Sequence, residues 1–210
     1  MKIMKVLAFG AVTLTAAWTF AQTEGIKETE KFVKAGEDTS QAVADAHVQT
    51  KTALDAYNAL VQGDSKDMKE DYKKLLKAQK DMNNRVADAR KTVAEMDKQA
   101  AIYFTSRSDA IGQIQDTGMR DQAKTRLEES KKEYDKVRAS LKKGGDELAP
   151  FSKDLSDQIK YLGAELTPSA ASSLKPQGEK LNKQGTTVFT QVDTAVTTAN
   201  KYFGTLKSGS

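Results

Sequence analysis

From Met68 onward, apolar or small residues recur alternately four and three positions apart: Met68, Tyr72, Leu75, Gln79, Met82, Val86, Ala89, Val93, Met96, Ala100, Tyr103, Arg107, Ala110 and Ile114. A mean period of about 3.5, held this long, is the seam of a left-handed coiled coil. Turn-forming residues bracket the run, Gln62-Gly63-Asp64-Ser65 before it and Asp116-Thr117-Gly118 after it. A helix is therefore predicted over 65–115. A second stripe runs Ala123, Leu127, Ser130, Tyr134, Val137, Leu141, Gly144, Leu148, Phe151, Leu155, Ile159, Leu162, Leu166 and predicts a helix over 117–166. Gly144-Gly145 followed by Pro150 predicts a kink or short break at 144–150, because glycine loosens helical backbone and an interior proline removes a hydrogen bond.

Thr167-Pro168 reads as an N-cap with proline at the first helical position. The stripe after it, Leu174, Gly178, Leu181, Gly185, Val188, Val192, Ala195, Ala199, Tyr202 and Leu206, predicts a helix over 168–206 and a frayed tail at 207–210. Upstream, Val43, His47, Thr50, Leu54, Tyr57 and Val61 predict a first helix over 39–62. Ile26, Thr29, Val33, Gly36 and Ser40 extend its pattern backwards, but Gly36-Glu37-Asp38-Thr39-Ser40 also reads as a break with a fresh N-cap, leaving 22–38 as a partly helical extension.

Short turns between long helices make neighbours antiparallel. The expected fold is all-α: an elongated antiparallel bundle of four long coiled-coil-like helices, a single unit over 39–206. The second and third helices, at about 50 residues or roughly 75 Å each, exceed the outer two. Residues 104–126 are therefore expected to project as a two-helix tip.

The first residues change where this bundle is placed. Lys2 and Lys5 precede an uncharged run from Val6 to Phe20 and a small residue at Ala21, the pattern of a signal peptide over 1–21 cleaved after Ala21. The run is shorter than the roughly 20 residues of a membrane-crossing helix, so no transmembrane segment is expected in the mature chain. Cysteine is absent, so neither a lipid anchor at the cleavage site nor a disulfide is expected, and the localisation read from the sequence is periplasmic or secreted. Removing Lys2 and Lys5 takes the formal charge of +4 down by two, which speaks against nucleic acid as a partner.

Catalytic constellations fail one by one. His47 is the only histidine and lies on an apolar stripe, where a packing or register-setting role is expected; a metal site needs three or four convergent ligands. No Glu-x-x-His pair of a dimetal bundle occurs. The seams of the last three helices hold no Asp or Glu, so no carboxylate is expected where burial would tune it for acid–base work. No serine sits in a nucleophile elbow and no glycine loop ends in Lys-Ser/Thr. No enzyme activity and no cofactor is expected.

Two surfaces remain as candidates. Phe104, Arg107, Ile111, Ile114 and Met119 lie on the projecting tip, where clustered apolar residues mark an interaction site. Lys66, Lys69, Lys73, Lys77 and Lys80 form a basic stripe on the second helix, suited to peripheral contact with anionic envelope material, although Asp67, Glu70, Asp71 and Asp81 interleave with it. Met68, Met82 and Met96 recur on the seam as core fillers or an adaptable binding surface.

The segments RVADARKTVAEM (85–96) and SKKEYDKVRASLKKGGDELAPFSKDLSDQIKYLGAELTPSAASSL (130–174) resemble an exported all-helical bacterial family known only as a domain of unknown function. Pro150-Phe151, then Asp157-Gln158-Ile159-Lys160-Tyr161-Leu162 and Leu166, carry the likeness, which spans about 44–203. The resemblance implies one continuous helical unit in the bacterial envelope. Many relatives resemble lipoproteins with a cysteine after the signal, which this chain lacks. The expected function is that of a non-enzymatic structural or adaptor protein of the envelope, with a protein partner or self-association. The alternative is a periplasmic holdase chaperone or a lipid or ligand carrier, in which the helices splay around the methionine-containing seam.

Overall fold

The computed structural model describes residues 15–62 and 65–208, with side chains from residue 25 onward. The leader expected at 1–21 lies largely outside the described residues. The chain forms α1 (Thr15–Val61), α2 (Met68–Gly112), α3 (Thr117–Ala164), the short α4 (Pro168–Ser173) and α5 (Lys175–Ser208), with no strand among the described residues. The fold is an all-α bundle.

Caps stand at Asp116 and Thr167 as the sequence predicts, whereas the helix expected over 65–115 runs Met68–Gly112 and is started by Asp67. Asp67 accepts a hydrogen bond from the Glu70 N–H at 3.0 Å and starts α2; Asp116 accepts from the Met119 N–H at 2.8 Å and starts α3. Thr167 Oγ1 accepts from the Ala170 N–H at 3.1 Å, with Pro168 at the first helical position of α4.

Four further features differ from the sequence-based expectation. First, α1 is one helix back to Thr15, without a break at 36–40. Gly36 is there for closeness: a Cβ at this position would lie 2.2 Å from the Phe203 ring. Thr39 Oγ1 donates to the Ala35 carbonyl at 2.8 Å, an interior back-bond and not an N-cap. The segment 22–38 is thus helical throughout, and Phe32, Val33 and Ala35 belong to the core. Second, α3 passes through Gly144, Gly145 and Pro150 unbroken. The proline stands on an exposed face while Phe151 beside it is fully buried, so packing holds the helix across the missing hydrogen bond.

Third, the last helix is divided. Pro176 has no N–H for the Ser172 carbonyl and its ring crowds that turn, so the Leu174 N–H turns back to the Ala171 carbonyl at 3.1 Å, ending α4 before α5 begins. Fourth, α5 stays helical through Ser208 where a frayed tail was expected, and the Lys207 ammonium meets Glu37 at 2.8 Å.

Cross-helix contacts set the arrangement. Thr29 meets Arg107 and Phe32 meets Tyr103 between α1 and α2; Asn58 meets Asn182 and Glu37 meets Lys207 between α1 and α5. Ser130 meets Tyr202 and Asp154 meets Lys180 between α3 and α5; Asp97 meets Arg138 and Tyr72 meets Ile159 between α2 and α3. In every pair residue numbers rise on one helix as they fall on the other. Packing is close between α1 and α2, α1 and α5, and α3 and α5, and among these neighbouring long helices it is thinnest between α2 and α3.

The core falls into two clusters. One is aliphatic and large, with Leu54, Leu60, Leu75, Met82, Leu155, Leu162 and Leu181 around Tyr57 and Phe151, closed at its end by Ala171 and Leu174. The other is aromatic: Phe32 is fully buried with the rings of Tyr103, Phe104, Tyr134, Tyr202 and Phe203 at 5.0–6.2 Å.

Candidate functional site

Between the two clusters the bundle is hollow. At this level the inward positions carry Ala46 and Thr50 on α1, Ala89 on α2, Gly144 on α3 and Ala195 on α5, too small to meet across the axis. They leave a cavity of about 260 Å³ whose walls are completed by Val43, Val86, Val93, Leu141, Leu148, Val188 and Val192. A void of this kind deprives its lining atoms of packing partners. The exposed lining residues, Arg90, Lys142 and Gly145, all belong to α2 and α3, so the cavity opens on the thinly packed side of the bundle.

Polar groups on the α1 wall are engaged. Thr50 Oγ1 donates to the Ala46 carbonyl at 2.7 Å. His47 Nδ1 lies 3.1 Å from Asp193 and its ring stacks on Phe189 at 4.8 Å, so the lone histidine packs and links α1 to α5. At the mouth the charges are cationic: Arg90, Arg138 and Lys142 line it and no Asp or Glu does. Arg138 Nε contacts Asp97 Oδ1 at 2.5 Å, and the Tyr134 hydroxyl donates to the same oxygen at 2.6 Å. Burial, reinforced by that carboxylate, holds the Tyr134 phenol well above the usual tyrosine range.

Elsewhere the polar groups serve architecture. The fully buried polar side chains among the described residues are Thr29, Thr39, Ser40 and Thr50, none of them a carboxylate. Burial raises Tyr57 and Tyr202, whose hydroxyls bond Gln158 and Ser130 across helix pairs. No group of three or more His, Cys, Asp or Glu among the described residues is placed to hold a metal ion.

The expected tip takes a different form. Because α1 extends back, it accompanies α2 there: Phe32 packs on Phe104 at 5.9 Å, and Arg107 donates to Thr29 Oγ1 at 2.9 Å while lying over the Tyr103 ring. Only α5 stops short. No residue from 104 to 126 is fully buried; Ile111 and Ile114 are half-buried and Met119 is 66% exposed. Ile111 and Ile114 line a wider cleft of about 1130 Å³ between α2, α3 and the end of α5, which mixes Arg107, Arg126, Lys136 and Lys201 with Glu129 and Glu133. Phe104 and Arg107 are therefore partly core, and Met119 stands apart from them.

In the basic stripe, Lys73 pairs with Glu70 at 3.5 Å and Lys77 with Asp81 at 2.7 Å, while Lys66, Lys69 and Lys80 are exposed. Met82 and Met96 are fully buried, one in each core cluster, and Met68 packs at the edge of the aliphatic one. The cavity is hidden in the sequence, where Ala89, Gly144 and Ala195 are ordinary seam members. Its one signal was that the stripes of α2, α3 and α5 each carry a small residue, which becomes a single layer only once the helices are in register.

Residues 18–206 match the model of a family described as Protein of unknown function (DUF2959). The chain belongs to this family. No curated protein and no solved structure matches it. The matched span takes in both core clusters, the cavity between them and the cleft at the α2–α3 turn. No helix among the described residues is long and apolar enough to cross a membrane.

Proposed function

We propose that this chain is a non-enzymatic binding protein of the bacterial envelope that holds an apolar ligand inside its bundle. The observation that carries the reading is the cavity of about 260 Å³ at mid-bundle, walled by aliphatic side chains and open between α2 and α3. Its scale is just below the roughly 300–1,000 Å³ of pockets that enclose drug-sized molecules. Envelope placement rests on the leader pattern at 1–21 and belongs to the same proposal.

The test is titration of the purified protein with Nile red, an uncharged apolar dye. Saturable, blue-shifted fluorescence is expected from the wild type. It is expected to disappear in Gly145→Leu, where a Cβ meets nothing within 4 Å and the side chain has room at the mouth. Circular dichroism establishes that the variant is folded. Equal dye binding by the two proteins, or none by either, removes the reading.

An adaptor acting through the α2–α3 end is the second reading, favoured by the absence of any fully buried residue from 104 to 126. Ile111→Ser with Ile114→Ser should then abolish capture of an envelope partner that the wild type retains. Unchanged capture excludes that end as the docking surface.

A further inference from the structure

Resting on the reading of the cavity as a ligand site, we propose that its occupant is a single-chain fatty acid. The hydrocarbon fills the cavity and the carboxylate lies at the mouth among Arg90, Arg138 and Lys142.

Charge complementarity carries the assignment. All three charged groups on the mouth side are cations, and no acidic residue lines the cavity. Arg90 is exposed and makes no ion pair with any described residue. Arg138 has its Nε committed to Asp97, while its two terminal nitrogens have no partner. That leaves the planar edge of a guanidinium available, the geometry that grips a carboxylate with two parallel hydrogen bonds. Asp97, held in turn by Tyr134, fixes this arginine in place. Lys142 pairs with Asp146 at 2.5 Å, but both side chains are well exposed, so the pair is weak and the long stem is free to swing to a better anion.

The distance between charge and apolar wall selects the ligand class. Arg90 stands four residues after Val86 and three before Val93 on α2, and Arg138 stands three before Leu141 and four before Lys142 on α3, all of them lining the cavity. Such residues are neighbours on a helix. The anionic group must therefore follow the hydrocarbon immediately, as in a fatty acid, without the glycerol linker of a lysophospholipid. The cavity volume suits one chain and is too small for the two of a diacyl lipid. The wall opposite adds no competing polar demand, since Thr50 and His47 are already bonded within the protein.

The experiment is displacement of Nile red by laurate below its micelle-forming concentration, beside methyl laurate, dodecyltrimethylammonium and a lauroyl lysophosphatidate. Laurate is expected to displace dye roughly tenfold or more better than its uncharged ester, as for a charge-assisted hydrogen bond. Arg90→Gln combined with Lys142→Gln, two exposed positions, is expected to erase most of that advantage of acid over ester. Arg138→Gln, measured separately, should do the same. An ester as effective as the acid, or an advantage untouched by the variants, overturns the carboxylate assignment and leaves the apolar site standing. Stronger displacement by the lysophosphatidate or by the cationic amphiphile overturns it too. Failure of both laurate and ester to displace the dye removes the apolar site as well.

Discussion

Two levels of the bundle, only a few turns apart, use the same helices in opposite ways. At the aromatic level Phe32 is fully buried and touches five other rings, so α1, α2, α3 and α5 are locked together by side-chain volume. At the middle level the inward positions are Ala46, Ala89, Gly144 and Ala195, and the helices pass one another around a void. Heptad spacing is alike at both levels. What differs is how much each side chain fills, and from that follow both the rigidity of one level and the capacity of the other.

The comparison breaks most visibly at Phe32. Replacing it with alanine is expected to cost about 3–5 kcal/mol in urea denaturation, since an aromatic anchor and its cavity penalty are lost together. A loss under about 1 kcal/mol would mean that the aromatic level does not anchor the bundle.

Matched insertions at two alanines come next. Ala100, 3% exposed in the aromatic cluster, should lose about 1–3 kcal/mol on Ala100→Leu because nothing can move aside. Ala89→Leu, facing the void, should be neutral or stabilising by the same measurement while removing Nile red binding. Similar losses at both positions would mean that the middle level is as tightly packed as the end.

Glycines sharpen the contrast at smaller scale. Gly145→Ala should raise stability by about 0.5–1 kcal/mol, the usual gain from removing a helical glycine with open space beside it. Gly36→Ala should do the reverse, because its Cβ would press on the Phe203 ring at 2.2 Å. Thermal melts of the pair, read against the wild type, check both signs.

The smallest effect lies on the surface. The Lys180 ammonium, then the Gln184 amide, hold the Asp154 carboxyl below its usual range. A carboxylate lowered in the folded state stabilises it above the unfolded pKa and loses that contribution as pH falls through the folded one. Asp154→Asn should therefore cost a few tenths of a kcal/mol near pH 7, as for partly exposed ion pairs, and progressively less below about pH 4. Urea titrations at the two pH values test this.

Much of the helical frame was legible in the chain. All eight residues that α3 buries lie on its expected stripe, from Leu127 and Tyr134 through Ile159 to Leu162, because a helix packed along one side shows a single narrow face. Helix α1 was read less well. It packs closely on both α2 and α5, so it buries a wider band that adds Phe32, Ala35, Ala46, Ala53 and Leu60 to the heptad positions. Gly36 looked like a helix stop for the same reason: composition records a missing side chain, and only the approach of Phe203 shows why it is missing.

By itself the sequence determined the helices, their caps at Asp116 and Thr167, and the apolar stripes that must be covered, because these follow from local backbone chemistry and periodicity. The tertiary structure alone decided that α1 accompanies the α2–α3 end. It also decided that three small residues on separate stripes fall at one level, with three cations at its rim. Register between helices is set by packing over the whole interface, and a void exists only where four independent faces all fail to fill the same space.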